Sequence, residues 1–142
     1  MTLRYLLDTN IVSEPLRISP NSQVLYRLQR DGDKIAIATV VWHELWFGCY
    51  RLPSLKKCQA IEQYLLDVIQ PTIPILGYTA DAAKWHANQR ARLAALGKMP
   101  PFADGQIAAI AQTNHLILVT GNVSDYQNFT ELQIENWYDN NQ

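Results

Sequence analysis

The chain has 142 residues, of which 48% are hydrophobic and 18% charged, and its mean hydropathy is −0.15. This composition excludes disordered, collagen-like and low-complexity proteins, and the length supports a single domain over residues 1–142 with a buried core. Twelve Lys and Arg oppose thirteen Asp and Glu, and the net charge of −1 excludes an overall basic field that binds nucleic acid non-specifically.

Short apolar runs alternate with longer segments of helical period along the chain. The predicted strands, in chain order, are Leu3–Leu7, Lys34–Ala38, Ile73–Leu76, Leu116–Val119 and an edge strand at Leu132–Trp137. The predicted helices run from Ser19-Pro20 to Arg30, from Thr39 to Arg51, from Ser54 onward, from Thr79 to Leu96 and from Asp104 to Asn114. This alternation is typical of an α/β domain built on a mostly parallel sheet. Ligands bind outside the carboxyl ends of the strands in such sheets, and we expect a functional site there.

Neither a membrane span nor a secretory signal is expected from the sequence. The longest nearly apolar run, Ile35–Trp42, is well short of the ~20 residues that a membrane-spanning helix needs, and the first ten residues carry an acid. The two cysteines, Cys49 and Cys58, are too few for a disulfide framework or a zinc ligand set. We therefore expect a cytoplasmic protein with no membrane partner and with both thiols reduced and buried.

Four carboxylates stand where such a fold places its ligands. Asp8 follows the first strand and Asp125 the fourth, whereas Glu44 and Asp104 lie on apolar helix faces. Taken singly, each has an ordinary explanation, because Asp8, Asp104 and Asp125 fit caps or turns and Glu44 fits a side chain that reaches solvent. Taken together, they converge on one edge of the sheet, where like charges repel unless a hard cation such as Mg²⁺ or Mn²⁺ neutralises them. An all-carboxylate metal site favours hydrolysis of phosphodiester bonds.

Four segments of the chain resemble the PIN-domain family, specifically the VapC toxins of bacterial type II toxin–antitoxin pairs. These segments are Leu6–Ser13, Trp42–Leu45 with Gly48, Asp104–Ala111 and Leu118–Tyr126, and in this order they span the chain. The resemblance implies a three-layer α/β/α fold and a Mg²⁺-dependent endoribonuclease that acts on RNA. It also implies a cognate antitoxin protein that holds the enzyme inactive.

The resemblance further implies roles for single residues. Asp8 and Asp104 are implied as the principal metal ligands, and Glu44 as a further ligand or as the base that orients water. We favour Asp125 as the fourth residue of the metal site, and Asn122 is the alternative for this position. The supporting positions are Thr9, Asn10, Thr120 and Asn122.

A local basic stretch is the candidate RNA-binding surface. Its four cations lie on and just after the long helix, at Lys84, Arg90, Arg92 and Lys98. Such a stretch can track an RNA backbone, and a solvated helix face explains any one of these residues equally well. Gly121 stands where VapC relatives often carry Arg, and this difference removes a possible phosphate contact.

An aromatic stripe is the candidate protein-binding surface. Trp42, Trp46 and Tyr50 are spaced four residues apart on one predicted helix, roughly opposite Glu44. The resemblance implies that proteins of the VapC kind form homodimers and accept an antitoxin helix in a hydrophobic groove. We assign the stripe to one of these two contacts.

Two other functions are compatible with the same acids. An Asp-nucleophile phosphatase also places an acid after its first strand, but such enzymes generally need a second acid two residues later, where this chain has Asn10. A PIN-like module that binds RNA or protein without cleavage is the other alternative. The presence of all four acids favours the nuclease over this module.

Overall fold

Five parallel strands form one sheet within residues 2–138, which are the residues that the computed structural model describes. The strands are β1 (Tyr5–Leu7), β2 (Ile35–Ala38), β3 (Ile75–Leu76), β4 (Ile117–Val119) and β5 (Ile134–Glu135). They lie in the order β3-β2-β1-β4-β5, and every neighbouring pair is parallel. The predicted mostly parallel α/β sheet is therefore confirmed, including its edge strand near the carboxyl terminus.

Helices connect the strands and cover the sheet to give the expected three-layer α/β/α arrangement. They are α1 (Thr9–Val12), α2 (Ser22–Arg30), α3 (Thr39–Tyr50), α4 (Leu55–Tyr64), α5 (Gln70–Thr72), α6 (Ala80–Ala95) and α7 (Phe102–Thr113), with 3₁₀ turns at Glu14–Leu16 and Val123–Asp125 and a π-helical turn at Leu65–Ile69. The central strands are buried, which explains why each reads as a continuous apolar run rather than an alternating one. No helix within the described residues is both long and apolar enough to cross a membrane.

Three helix starts differ from the prediction. Helix α2 begins at Ser22, because the side chain of Asn21 accepts a hydrogen bond from the backbone N–H of Val24 at 3.0 Å and acts as the N-cap. Thr39, which we predict from the sequence as the N-cap of its helix, is instead the first residue of α3, and Ala38 occupies the N-cap position. Helix α7 begins two residues before Asp104, so this carboxylate lies inside the first turn.

The prediction of two reduced thiols is wrong. Cys49 and Cys58 are paired as a disulfide that joins α3 to α4, with their Cα atoms 4.8 Å apart. The prediction rested on the usual redox state of cytoplasmic proteins, an argument that does not consider whether two cysteines are neighbours in the fold. The pairing ties together two helices that border the candidate site.

The segment after β5 is anchored to the body of the protein. Trp137 is only 2% exposed, and its ring lies edge-to-face with that of Tyr5, with the ring centroids 5.3 Å apart. The guanidinium of Arg27 sits 4.5 Å from the Trp137 ring and 3.3 Å from a carboxylate oxygen of Glu135. The chain thus reaches its last described residues as a packed element.

Candidate active site

The carboxyl ends of β1 and β4 lie side by side and lead directly into Asp8 and Thr120. Asp8 follows β1, is 8% exposed, and caps α1 by accepting a 2.8 Å hydrogen bond from the backbone N–H of Thr9. Its other carboxylate oxygen accepts a 2.8 Å hydrogen bond from the hydroxyl of Thr120, which directly follows β4. The capping explanation for Asp8 is therefore correct, and the same hydrogen bonds hold its carboxylate in one orientation at the expected edge of the sheet.

Asp104 approaches the same place from the first turn of α7. Its carboxylate lies 3.5 Å from the hydroxyl of Tyr126, which is buried behind the loop that follows β4. The next residue in the helix, Gly105, packs so closely on α6 that a methyl group there would overlap the imidazole of His86. This close approach fixes the first turn of α7, which carries Asp104, against α6.

The charges of three acids act on one another at this edge. Burial raises the pKa of Asp8, the hydrogen bonds from Thr120 and Thr9 oppose that rise, and the charge of Asp125 adds to it. Burial also raises the pKa of Asp104, and the charges of Asp125 and Asp8 raise it further. Asp125 itself is exposed at the end of its 3₁₀ turn. Asp8, Asp104 and Asp125 are thus close enough for their charges to act on one another.

Glu44 joins the site from a different side. Its side chain is exposed, so the alternative in which Glu44 reaches solvent from an apolar helix face is correct. Helix α3 buries Val41, Leu45 and Cys49 instead, which turns Glu44 towards a cavity of about 500 Å³. The walls of this cavity include Asp8, Glu44 and Asp104, but not Asp125.

The supporting positions divide into two groups. Thr9 and Asn10 line the cavity beside Asp8. The Thr120 hydroxyl both donates to Asp8 and accepts a 3.0 Å hydrogen bond from the backbone N–H of Asn122. Asn122 precedes the 3₁₀ turn and makes no capping hydrogen bond with its side chain, whereas the charge of Asp125 raises the pKa of buried Asp8 and of half-buried Asp104. The choice of Asp125 over Asn122 for the fourth position of the site stays a prediction.

The donor chemistry fits a hard divalent cation. Within residues 2–138, no three His, Cys, Asp or Glu side chains already stand close enough to hold a metal ion. The groups at the sheet edge are nevertheless all oxygen donors, and over the same residues Asp8, Asp104 and Asp125 form no ion pair. Buried carboxylates without a compensating cation are costly, and Mg²⁺ prefers ligands of this kind. Asp8 and Asp104 therefore remain the predicted metal ligands.

The predicted basic stretch is only partly free to bind RNA. Lys84, Arg90 and Lys98 are exposed. Arg92 is used inside the fold, because its guanidinium donates hydrogen bonds to the carbonyl of Asn128 at 2.6 Å and to the side chain of Gln89 at 2.8 Å. Three of the four cations thus remain candidates for substrate contact.

Sequence reasoning missed several parts of the site. Tyr126 contacts Asp104, and Arg51 lines the cavity that holds the acids. Tyr138 contacts α1, since its hydroxyl lies 3.2 Å from the carbonyl oxygen of Asn10. These residues carry no local pattern that predicts their place, because each contact joins segments that are distant along the chain.

We expect the Asp104→Asn substitution to stabilise the metal-free protein at neutral pH. The folded-state pKa of Asp104 is raised, so the folded protein loses stability as pH rises from the ordinary carboxyl range through that raised pKa. Asn does not titrate, so the variant does not undergo this loss. The difference in free energy of unfolding between Asp104→Asn and the wild type should therefore rise from near zero at acidic pH to its full value at pH 7. Denaturant unfolding with EDTA present, at a series of pH values, measures this difference.

A matched control is available for that experiment. Asp81 is an exposed acid in the first turn of α6, so Asp81→Asn reports only the interaction of an acid with a helix N-terminus. We expect this control to lose about 0.3–1 kcal/mol of stability. A loss of that size for Asp104→Asn at pH 7 would show that Asp104 stabilises the N-terminus of α7 and is not destabilised by repulsion from neighbouring acids.

Comparison with known proteins gives one consistent picture. The family model described as PIN domain matches residues 5–127. The tRNA(fMet)-specific endonuclease VapC of Shigella flexneri is 33% identical to this chain over 136 residues, which are 95% of this chain and 98% of that protein. Toxin FitB of Neisseria gonorrhoeae is 30% identical over 137 residues, 94% of this chain and 99% of FitB. The crystal structure of FitAcB from Neisseria gonorrhoeae superposes with a TM-score of 0.86 at 30% identity, covering 94% of this chain and 98% of that one.

Proposed function

The chain belongs to the PIN domain family, and from this premise we propose that it is an endoribonuclease toxin of the VapC kind, inhibited by a cognate antitoxin. We propose further that it hydrolyses RNA phosphodiester bonds with Mg²⁺, or Mn²⁺ in its place, held by Asp8 and Asp104. One observation carries the proposal. Asp8 and Asp104, both with raised pKa values, line one cavity together with Glu44 at the carboxyl edge of a parallel sheet.

The residues of the site would share the work as follows. A divalent ion, when bound, neutralises phosphate charge and makes water more acidic. Asp8, held by two hydrogen bonds, would be the fixed ligand of this ion, and Asp104 in the first turn of α7 would be the second ligand. Glu44, exposed on the same cavity wall, is the group that orients the attacking water and accepts its proton.

The reaction that follows from these roles is a direct hydrolysis. The water oxygen forms the new bond to phosphorus in line with the leaving oxygen, whose bond to phosphorus breaks. The charge of Asp125 acts on both Asp8 and Asp104 and adds negative potential that favours metal binding. No covalent enzyme intermediate is needed, and this distinguishes the reaction from that of an Asp-nucleophile phosphatase.

The cavity also fits an inhibitory protein segment. The acids lie among its lining residues, and its apolar walls come from Leu16, Leu45, Phe47 and Ile61. A helix with an apolar face and a basic side chain complements both features, which supports a cognate antitoxin as the partner. A homodimer is the second assembly that we propose.

The aromatic stripe on α3 is the candidate surface for that dimer. Trp42 and Trp46 are partly buried, with ring centroids 5.7 Å apart, and Trp46 stacks on Tyr50, which is 71% exposed. Aromatic groups of this kind are enriched at protein interfaces.

Incubation of the purified chain, freed of any bound protein, with folded RNA and Mg²⁺ tests the proposal. We expect defined internal cuts in RNA and none in DNA of the same sequence. Phosphate release from a phosphomonoester through an acyl-phosphate would favour the phosphatase. RNA binding without new ends would favour the non-cleaving module, and either result would contradict the nuclease.

A further inference from the structure

We propose that Tyr138 is a positioning residue that clamps the loop after β1 to the loop after β4, an inference that rests on the proposed function. These are the loops that carry Asp8 and Thr120. The inference comes from where the hydroxyl and the ring of this tyrosine lie, since each contacts a different loop.

The hydroxyl of Tyr138 contacts the first loop. It donates a hydrogen bond to the carboxylate of Glu14 and lies 3.2 Å from the carbonyl oxygen of Asn10. Asn10 belongs to α1, the short helix that Asp8 caps. The hydroxyl therefore holds the helix from which the Asp8 carboxylate takes its orientation.

Glu14 makes this contact rigid. Its side chain is 2% exposed, yet it carries a carboxylate with several partners. One oxygen accepts a 2.8 Å hydrogen bond from the backbone N–H of Asn21, and the other lies 3.3 Å from Nε of Arg17. A buried carboxylate is tolerated only when hydrogen-bond donors or a cation pair with its oxygens, and the loss of one donor leaves an oxygen without a partner.

The ring of Tyr138 contacts the second loop. A Cβ atom built on Gly121 would lie 3.1 and 3.2 Å from two ring carbons, so the ring packs directly on this glycine. Gly121 follows Thr120, whose hydroxyl donates to Asp8. Trp137, the residue before Tyr138, is buried and so fixes the position of the segment that carries the tyrosine. One side chain thus contacts both of the segments that flank the Asp8–Thr120 hydrogen bond.

Amide hydrogen exchange and cleavage kinetics of Tyr138→Phe test the clamp. Phe keeps the ring and removes the hydroxyl, so we expect exchange at least about tenfold faster at the amides of Thr9 and Asn122, which report the two loops. We expect kcat to fall about tenfold with KM little changed, because the RNA contacts remain. Calorimetric titration should show weaker Mn²⁺ binding.

Two further variants complete the test. Glu14→Gln preserves shape but weakens the hydrogen bond to Tyr138, and it should reproduce the faster exchange at both amides. Tyr26→Phe, at an exposed tyrosine on α2, should match the wild type in every measurement.

The outcomes separate the clamp from the nuclease proposal. Wild-type exchange rates in Tyr138→Phe, or faster exchange with unchanged kcat, would overturn the positioning role. An overall fall in melting temperature with uniformly faster exchange would also overturn it, since that pattern indicates a general structural role. If the wild type cuts no RNA but the two loops still exchange faster in the variant, the clamp stands and the nuclease proposal fails.

Discussion

RNA cleavage by the Asp104→Asn variant is expected to fall by about 10³-fold, although the variant remains folded. Removal of one group that stabilises transition-state charge costs about 10²–10³ in rate, and loss of a metal ligand acts on the same charge. Asn keeps the size of the side chain and one oxygen donor but removes the negative charge. Single-turnover cleavage of end-labelled RNA at saturating enzyme measures the chemical step without a contribution from binding.

The interpretation of this result depends on stability measured in the same preparation. Asp104→Asn is expected to be at least as stable as the wild type at pH 7, so lost activity cannot come from unfolding. Asp81→Asn changes the net charge equally at an exposed site and should cleave at the wild-type rate. A rate for Asp104→Asn within about threefold of the wild type would remove this residue from the mechanism.

The fold was predictable because its central strands have a recognisable sequence pattern. The central strands are buried, so Tyr5–Leu7 and Ile35–Ala38 appear as uninterrupted apolar runs between turn residues. The connecting helices begin at residues with capping side chains, and Thr79 and Ser54 do act as N-caps. The rule for carboxyl ends then placed Asp8 correctly without knowledge of the tertiary structure.

The orientation of Glu44 was not predictable by the same reasoning. Helix α3 is apolar nearly all round, so its periodicity does not identify one buried face. Packing makes that choice, and it buries Val41, Leu45 and Cys49. Glu44 is then left at the cavity rather than in the core.

Contacts between segments that are distant along the chain could not be predicted from the sequence either. The Cys49–Cys58 pair depends on the way α3 and α4 pack, and the hydrogen bond between Glu14 and Tyr138 spans 124 residues. No local pattern encodes such contacts, because each half has an ordinary role when read alone. The disulfide and the Glu14–Tyr138 contact were therefore missed, whereas Thr9 and Thr120, which hold the Asp8 carboxylate, were already named as supporting positions from the resemblance.

Chelation by EDTA is expected to abolish RNA cleavage, and Mg²⁺ or Mn²⁺ to restore it. The reason is the repulsion among Asp8, Asp104 and Asp125, which a divalent ion relieves and which Lys and Arg do not, since none forms an ion pair with them in residues 2–138. Cleavage that persists in EDTA at the wild-type rate would contradict the metal proposal.

A binding measurement gives a second, activity-independent test of the same site. Mg²⁺ at 100 times its Kd should raise the free energy of unfolding by about 2.7 kcal/mol, and this gain should be absent in Asp8→Asn. Because the pKa values of Asp8 and Asp104 are raised, protons compete with the metal at higher pH than for ordinary carboxyls. The stabilisation by Mg²⁺ should therefore shrink as pH falls, and each bound ion should release protons into the buffer. A stabilisation that is equal in Asp8→Asn and independent of pH would indicate that the ion binds elsewhere on the protein.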